Sequence, residues 1–133
     1  LRACVKKILV VDDQAEIRDL IEAILRRGDY EVFKAENGQQ AIEMARKHRP
    51  DLIMMDVMMP GAVNGLDATR VIKSDPETAR GVVIILTAKG ESVDREKGLE
   101  AGAHDYFAKP FSPLELMRKV DELLEGSSRD KDT

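Results

Sequence analysis

Five positions in this 133-residue chain carry side chains that could do chemistry together. Asp12 and Asp13 close the apolar run Ile8-Leu9-Val10-Val11, and Asp56 closes Leu52-Ile53-Met54-Met55. Thr87 follows Val82-Val83-Ile84-Ile85-Leu86, and Lys109 follows the short run of residues 104–108. Each run has the length of a buried strand, so each polar residue sits where the chain leaves the interior. A buried carboxylate is costly unless a cation, hydrogen-bond donors or solvent reach it. Side by side, the strand ends would gather three carboxylates, one hydroxyl and one ammonium at one edge. Crowded carboxylates repel, and a proton or a metal must relieve them. A hard divalent ion held by one or two carboxylates, keeping waters and taking a phosphate oxygen, is the habit of Mg2+. The two histidines, His48 and His104, are far apart in sequence, so no Cys/His cluster suggests zinc. Singly, each residue has a plainer reading. Asp13 is a helix cap, Thr87 a satisfied turn hydroxyl, Lys109 a surface lysine, Tyr106 a core or edge aromatic. Their joint placement favours one site.

The elements that must position these residues follow from periodicity. Lys6–Val11 reads as a β-branched strand. Asp13, with Glu16 three residues on, has the arrangement of a capped helix start. Ile17, Leu20, Ile21, Ile24 and Leu25 then form the stripe of an amphipathic helix, which Gly28 is expected to stop in a left-handed cap. Tyr30–Ala35 is a second strand. Asn37 with Gln40 opens a helix that carries Ala41, Met44 and Ala45 and ends before Pro50. The strand ending at Asp56 is followed by a loop over residues 59–65 and a helix over 66–73, broken at Ser74-Asp75-Pro76. After the strand 82–86, residues 91–101 are only weakly helical, with many charges and an internal Gly98 that costs about 1 kcal/mol against Ala. Residues 104–108 form a fifth strand. Ser112-Pro113-Leu114-Glu115 supplies an N-cap, a proline at the first helical position and an acid at the third, and Leu116, Met117, Val120, Leu123 and Leu124 follow as a buried stripe. Residues 1–125 thus form one domain, and 126–133 read as a disordered polar tail. Five β-α repeats imply an α/β three-layer sandwich, doubly wound around a parallel five-stranded sheet. Such sheets bind ligands beyond the carboxyl ends of their strands, where strand order reverses.

Composition sets the outer bounds. With 43% hydrophobic and 35% charged residues the chain has an ordinary globular make-up, long enough for one stable core. A net charge of −4 argues against non-specific binding of nucleic acid or an anionic membrane by the chain itself. Cys4 is the single cysteine, so no internal disulfide forms and a reducing, cytoplasmic setting is expected. No apolar run is long enough to span a bilayer. The start at Leu1 and the lack of further sequence after the last helix suggest either a stand-alone protein or an excised domain. The six methionines read as core filler.

Asp12-Asp13, Asp56, Thr87-Ala88 and Lys109-Pro110-Phe111 together resemble the motifs of the response-regulator receiver domains of two-component signalling, over residues 5 to 125. The resemblance implies the flavodoxin-like strand order 2-1-3-4-5 and a phosphorylation-activated switch. In that reading Asp56 is the phosphoacceptor, taking a phosphoryl group from a sensor histidine kinase or a histidine phosphotransfer protein. Mg2+ is held by Asp12, Asp13, Asp56 and the Met58 backbone carbonyl. Lys109 contacts a phosphoryl oxygen, and Thr87 and Tyr106 are the switch residues, changing the surface around the fourth helix and fifth strand. Ala88 is small and leaves the phosphate approachable, and the Lys109-Pro110 peptide is expected to be cis. The protein would catalyse only its own phosphorylation and dephosphorylation and would not otherwise be an enzyme.

Two departures from the family pattern stand out. The loop from Pro60 to Gly65 is one residue longer than usual, with Asn64 in place of the commoner Asp. Met58 and Lys89 occupy positions that tune phosphoryl hydrolysis, and Met58 has no group to orient a water, so a persistent phosphoaspartate is expected. The rival readings are a receiver-like binding module working without phosphorylation, a receiver fragment of a larger transcriptional regulator or hybrid kinase, and a Mg2+-dependent phosphatase. The last would want a second acid where Met58 stands. The downstream target is open; Asp105, Arg118 and Lys119 could support a phosphorylation-dependent dimer, and neither direct nucleic-acid contact nor a membrane is expected.

Overall fold

The computed structural model describes residues 6–26, 28, 30–57, 64–88, 92–109 and 112–132, with backbone alone at 88, 92–95, 109 and 125–132. Strands and helices alternate without exception: β1 (Lys6–Val11), α1 (Ala15–Leu25), β2 (Tyr30–Ala35), α2 (Gly38–His48), β3 (Leu52–Asp56), α3 (Gly65–Ser74), β4 (Val82–Ala88), α4 (Ser92–Ala101), β5 (Asp105–Lys109) and α5 (Pro113–Asp132). The strands form one parallel sheet in the order β2-β1-β3-β4-β5. This is the doubly wound, flavodoxin-like architecture expected.

The three central strands explain the unbroken apolar runs. Every residue of β3 is buried, because helices cover the sheet on both faces. Alternate residues then feed separate cores. Ile8, Val10, Leu52, Met54, Ile84 and Leu86 pack against Ile21, Ile24 and Leu25 of α1 and Leu116 and Val120 of α5. Leu9, Val11, Ile53, Met55, Val83 and Ile85 pack against α2 and α3 through Ala41, Ala45, Ala68 and Ile72. Met54 and Met55 are therefore core residues on opposite faces, as their filler reading required.

Helix starts agree with the sequence where a side chain truly caps. Asn37 Oδ1 accepts from Gln40 N at 2.8 Å while Gln40 Oε1 accepts from Glu36 N, a reciprocal cap. Ser112 Oγ accepts from Glu115 N at 3.1 Å. At α3 the cap is Asn64, whose Oδ1 accepts from Asp67 N at 2.9 Å, so the helix begins at Gly65.

Four expectations need correction. Asp13 does not cap α1: the N-cap is Gln14, which has no side-chain bond, and Asp13 is exposed. Its neighbour Asp12 takes the local donor instead, accepting from Gln14 N at 2.9 Å. Leu20 is 46% exposed, because its position on α1 falls at the rim of the packed stripe. The C-cap of α1 is not Gly28 but Arg26, in the right-handed region, and a left-handed cap is formed instead by Arg49 at the end of α2, where its N–H reaches Ala45 O. A Cβ at Gly28 would fall 2.7 Å from Met117 and Tyr30, so close packing is what that glycine serves. Finally, α5 continues to Asp132 through the stretch read as a disordered tail. Propagating an existing helix adds a hydrogen bond for each residue fixed, so a weakly patterned polar stretch can extend it. The fourth and fifth β-α units differ from expectation only in their ends: α4 starts at Ser92, and β5 runs one residue later, over Asp105–Lys109.

Candidate functional site

Parallel order places the ends of β1 and β3 beside each other, at the point where the chain reverses direction across the sheet. Asp12, Asp13 and Asp56 meet there. Each offers a carboxylate oxygen, and the three oxygens lie within 4.8 Å of one another. Asp12 is fully buried, Asp56 is 3% exposed and Asp13 is open to solvent. The cluster thus has a dry floor and one wet side, which suits an ion that keeps some of its water.

Asp12 is held at three of its polar atoms. Its N–H donates to Ala35 O at 3.1 Å, its Oδ1 accepts from Gln14 N, and its carbonyl accepts from Arg18 Nη1 at 2.6 Å. Asp56 is positioned by strand pairing and by the chain just beyond it. It lies opposite Leu86 in β4, and Val57 N donates to Leu86 O at 3.2 Å. From the other side, the first turn of α3 presses on this backbone at Gly65, and Thr69 Oγ1 donates to Gly65 O at 2.8 Å inside the core.

The same edge receives the remaining residues. Thr87, 3% exposed, is one step past Leu86 on β4 and pairs with Ala108 on β5; Ala88 pairs with Lys109. Strand register therefore carries the backbones of Thr87 and Lys109 to the rim occupied by Asp56. The Lys109 side chain, Met58, Lys89, the Lys109-Pro110 peptide and the loop over 58–63 lie outside the described residues. Tyr106, opposite Ile85, is half-buried and packs on the core that faces α2 and α3. Beside it, Asp105 Oδ2 accepts from Lys119 Nζ at 2.9 Å, and this bond holds the Lys119 ammonium pKa above the usual lysine range.

The histidines lie elsewhere. His48 stacks on Phe33, with ring centroids 3.9 Å apart. His104 Nδ1 accepts from Val83 N at 3.3 Å, and burial, with the Lys73 ammonium nearby, lowers its pKa. Lys73 itself is lowered by burial, its Nζ donating to Ala79 O and Gly81 O.

Three supports of the site escaped the sequence reading: Arg18, Gly65 and Thr69. Gly65 carried a signal, since a glycine at a helix start is a weak helix former kept for another reason. Arg18 carried none, because an arginine on an exposed helical face is ordinary.

Chemically, three oxygen donors this close fit a hard divalent cation better than they fit each other. A model of the response regulator receiver domain family matches residues 8–121. The phosphate regulon transcriptional regulatory protein PhoB of Pseudomonas aeruginosa is 45% identical over 119 residues, covering 90% of this chain and 52% of PhoB. The transcriptional regulatory protein ResD of Bacillus subtilis is 46% identical over 123 residues, covering 92% of this chain and 50% of ResD. The chain spans about half the length of these curated relatives. Both are named as transcriptional regulators, so an expectation of no nucleic-acid contact does not fit those whole proteins.

Solved structures agree in fold. A putative response regulator from Chloroflexus aurantiacus superposes with a TM-score of 0.85 at 36% identity, covering 90% of this chain and 98% of that one. The receiver domain of sensor histidine kinase PA1611 from Pseudomonas aeruginosa, solved with a magnesium ion coordinated in its active site cleft, gives 0.81 at 39% identity, covering 90% and 97%. Among the described residues no helix is long and apolar enough to cross a membrane. Because the family match runs from the first strand into the last helix, this chain belongs to the response regulator receiver domains.

Proposed function

We propose that this chain is a cytoplasmic phosphorylation switch in which Asp56 accepts a phosphoryl group from the phosphohistidine of a sensor histidine kinase or a histidine phosphotransfer protein. The observation that carries this reading is the meeting of the Asp12, Asp13 and Asp56 carboxylates within 4.8 Å at the reversal point of the sheet. Asp12, Asp13 and Asp56 would hold Mg2+, with the Met58 carbonyl as a further ligand. When bound, the ion offsets the carboxylate repulsion and the negative charge of the phosphoryl oxygens.

The chain's own residues do the rest. A carboxylate oxygen of Asp56 attacks phosphorus in line, the O–P bond forms as the N–P bond breaks, and the departing imidazole keeps the electron pair and takes a proton. Such aspartyl phosphates are an established carboxylate chemistry. Thr87 donates its hydroxyl to a phosphoryl oxygen, and Lys109 supplies a point charge from the end of β5. Tyr106 follows Thr87 inward. The new charge and acceptors then bias the surface around α4 and β5.

Incubation with Mg2+ and a small acyl phosphate tests the reading. A mass gain of one phosphoryl group, absent in Asp56→Asn and absent with chelator, is expected. No adduct would favour a binding module that works without phosphorylation. Sustained turnover of the acyl phosphate would make the chain an enzyme on outside substrates. A second reading is favoured by the half-length matches to PhoB and ResD: the chain is the receiver portion of a larger transcriptional regulator, whose other portion would supply DNA contact.

A further inference from the structure

We infer that Arg18 is a positioning residue for the carboxylate cluster, acting through the peptide that joins Asp12 to Asp13. The inference rests on the metal-binding reading above and extends it to a residue outside the ligand set. Arg18 lies one turn into α1, and its Nη1 donates to the Asp12 carbonyl at 2.6 Å in a half-buried position. That carbonyl belongs to the peptide between two adjacent carboxylates. Rotating this peptide would redirect both side chains relative to Asp56.

α1 has no side-chain cap, and the same turn is also held by Asp12 N to Ala35 O and by Gln14 N to Asp12 Oδ1. The first lies on the Asp12 side of the peptide, and the second spans it, from the Gln14 N–H beyond Asp13 back to the Asp12 side chain. The guanidinium holds the peptide's oxygen. A charge-assisted bond of this length is a strong one.

Two effects of Arg18 oppose each other, and the opposition makes the inference testable. A fixed cation close to an acidic cluster repels a second cation. A clamp that pre-aims the ligands favours it. Partners that orient metal ligands typically matter by about 10- to 100-fold in affinity. The inference is that orientation dominates, and Arg18→Lys, which keeps the charge while changing the geometry, separates the two effects.

The experiment measures Mn2+ binding to this chain by electron paramagnetic resonance, for the wild type, Arg18→Met and Arg18→Lys, with thermal melting in chelator as a control. Arg18→Met is expected to bind Mn2+ about tenfold more weakly, and Arg18→Lys, which keeps the charge and one donor, to recover part of the loss. With acyl phosphate, the variants are expected to need more Mg2+ for half-maximal phosphorylation but to approach the wild-type rate at saturation. Equal or tighter Mn2+ binding by Arg18→Met would overturn the inference and leave the phosphorylation reading standing. Failure of the wild type to bind Mn2+ would overturn both. Should Arg18→Met fail to fold, Arg18→Lys decides alone: weaker binding supports the clamp, and unchanged binding removes it.

Discussion

Replacing Gly65 by alanine adds a single methyl group where α3 meets the backbone that carries Asp56. Built on the existing chain, that methyl would lie 2.9 Å from the Asp56 carbonyl carbon and from the Val57 Cα, and closer still to the Asp56 carbonyl oxygen. Carbon atoms prefer about 3.5–4.0 Å, so one side has to move by at least about half an ångström. The helix has no room to withdraw. Ala68, Thr69 and Ile72 on its inner face are fully or almost fully buried, and Thr69 Oγ1 ties back to Gly65 O. Glycine at 65 is not in the left-handed region, so backbone strain adds nothing and the effect is steric.

Alanine improves helix propensity by up to about 1 kcal/mol, whereas overpacking costs about 1–3 kcal/mol and sometimes more. With rigid backbone on both sides the upper end applies, leaving a net loss of about 2 kcal/mol. For a domain of this size that lowers the melting temperature by about 6–8 °C. Because the displaced atoms include the Asp56 backbone, Mg2+ affinity should fall as well, by about tenfold. Circular-dichroism melting in chelator, followed by a Mg2+ titration, reads both quantities. A melting temperature unchanged or raised, together with wild-type Mg2+ affinity, would refute the claim that α3 is seated on the site backbone.

Three further outcomes can be checked separately. Saturating Mg2+ at about 100 times its dissociation constant should stabilise the wild type by about 2.7 kcal/mol, and Asp13→Asn should lose most of that rise while melting normally in chelator. Asn64→Ala removes the α3 cap and should cost about 1 kcal/mol, seen as a melting temperature lower by a few degrees. His104 titrates below its ordinary value of 6.5. The unfolded chain therefore binds the proton first, and stability declines as pH falls below about 6.5 until the folded ring is itself protonated. A histidine proton titration by NMR, with the Val83 amide as reporter, should place the midpoint under 6.5; a midpoint above it would remove the acceptor role of Nδ1.

The fold was legible because its signals are local and redundant. β1, β3 and β4 are unbroken apolar runs, α2 and α5 carry true capping residues, and the repeat of strand and helix leaves one architecture. The carboxylates were legible because each ends an apolar run. What stayed hidden depends on distance in space. The cap of α1 looked like Asp13 because the Asp-to-Glu spacing is right, yet the neighbouring Asp12, held by β2 and Arg18, took the Gln14 N–H. Gly98 read as a flaw in α4; a Cβ there would sit 2.9 Å from Ile85 Cγ1, so its absence is what lets the helix lie against β4. Leu20 fitted a helical stripe but fell at its margin, a difference that only the placement of neighbouring elements settles.

Met54 and Met55 are adjacent in the chain and yet belong to interiors on opposite flanks of the sheet. Truncations in the two flanks should therefore sum, to within about 0.5 kcal/mol, where the altered side chains share no neighbour. The rim is different, since each flank sends one grip to it: α1 through the Arg18 guanidinium, α3 through the bare face of Gly65. The ends of β1 and β3 are pinned from two directions by helices that belong to separate cores. Loosening one flank thus releases one of the two grips and leaves the other in place, so the carboxylate spacing depends on both interiors at once.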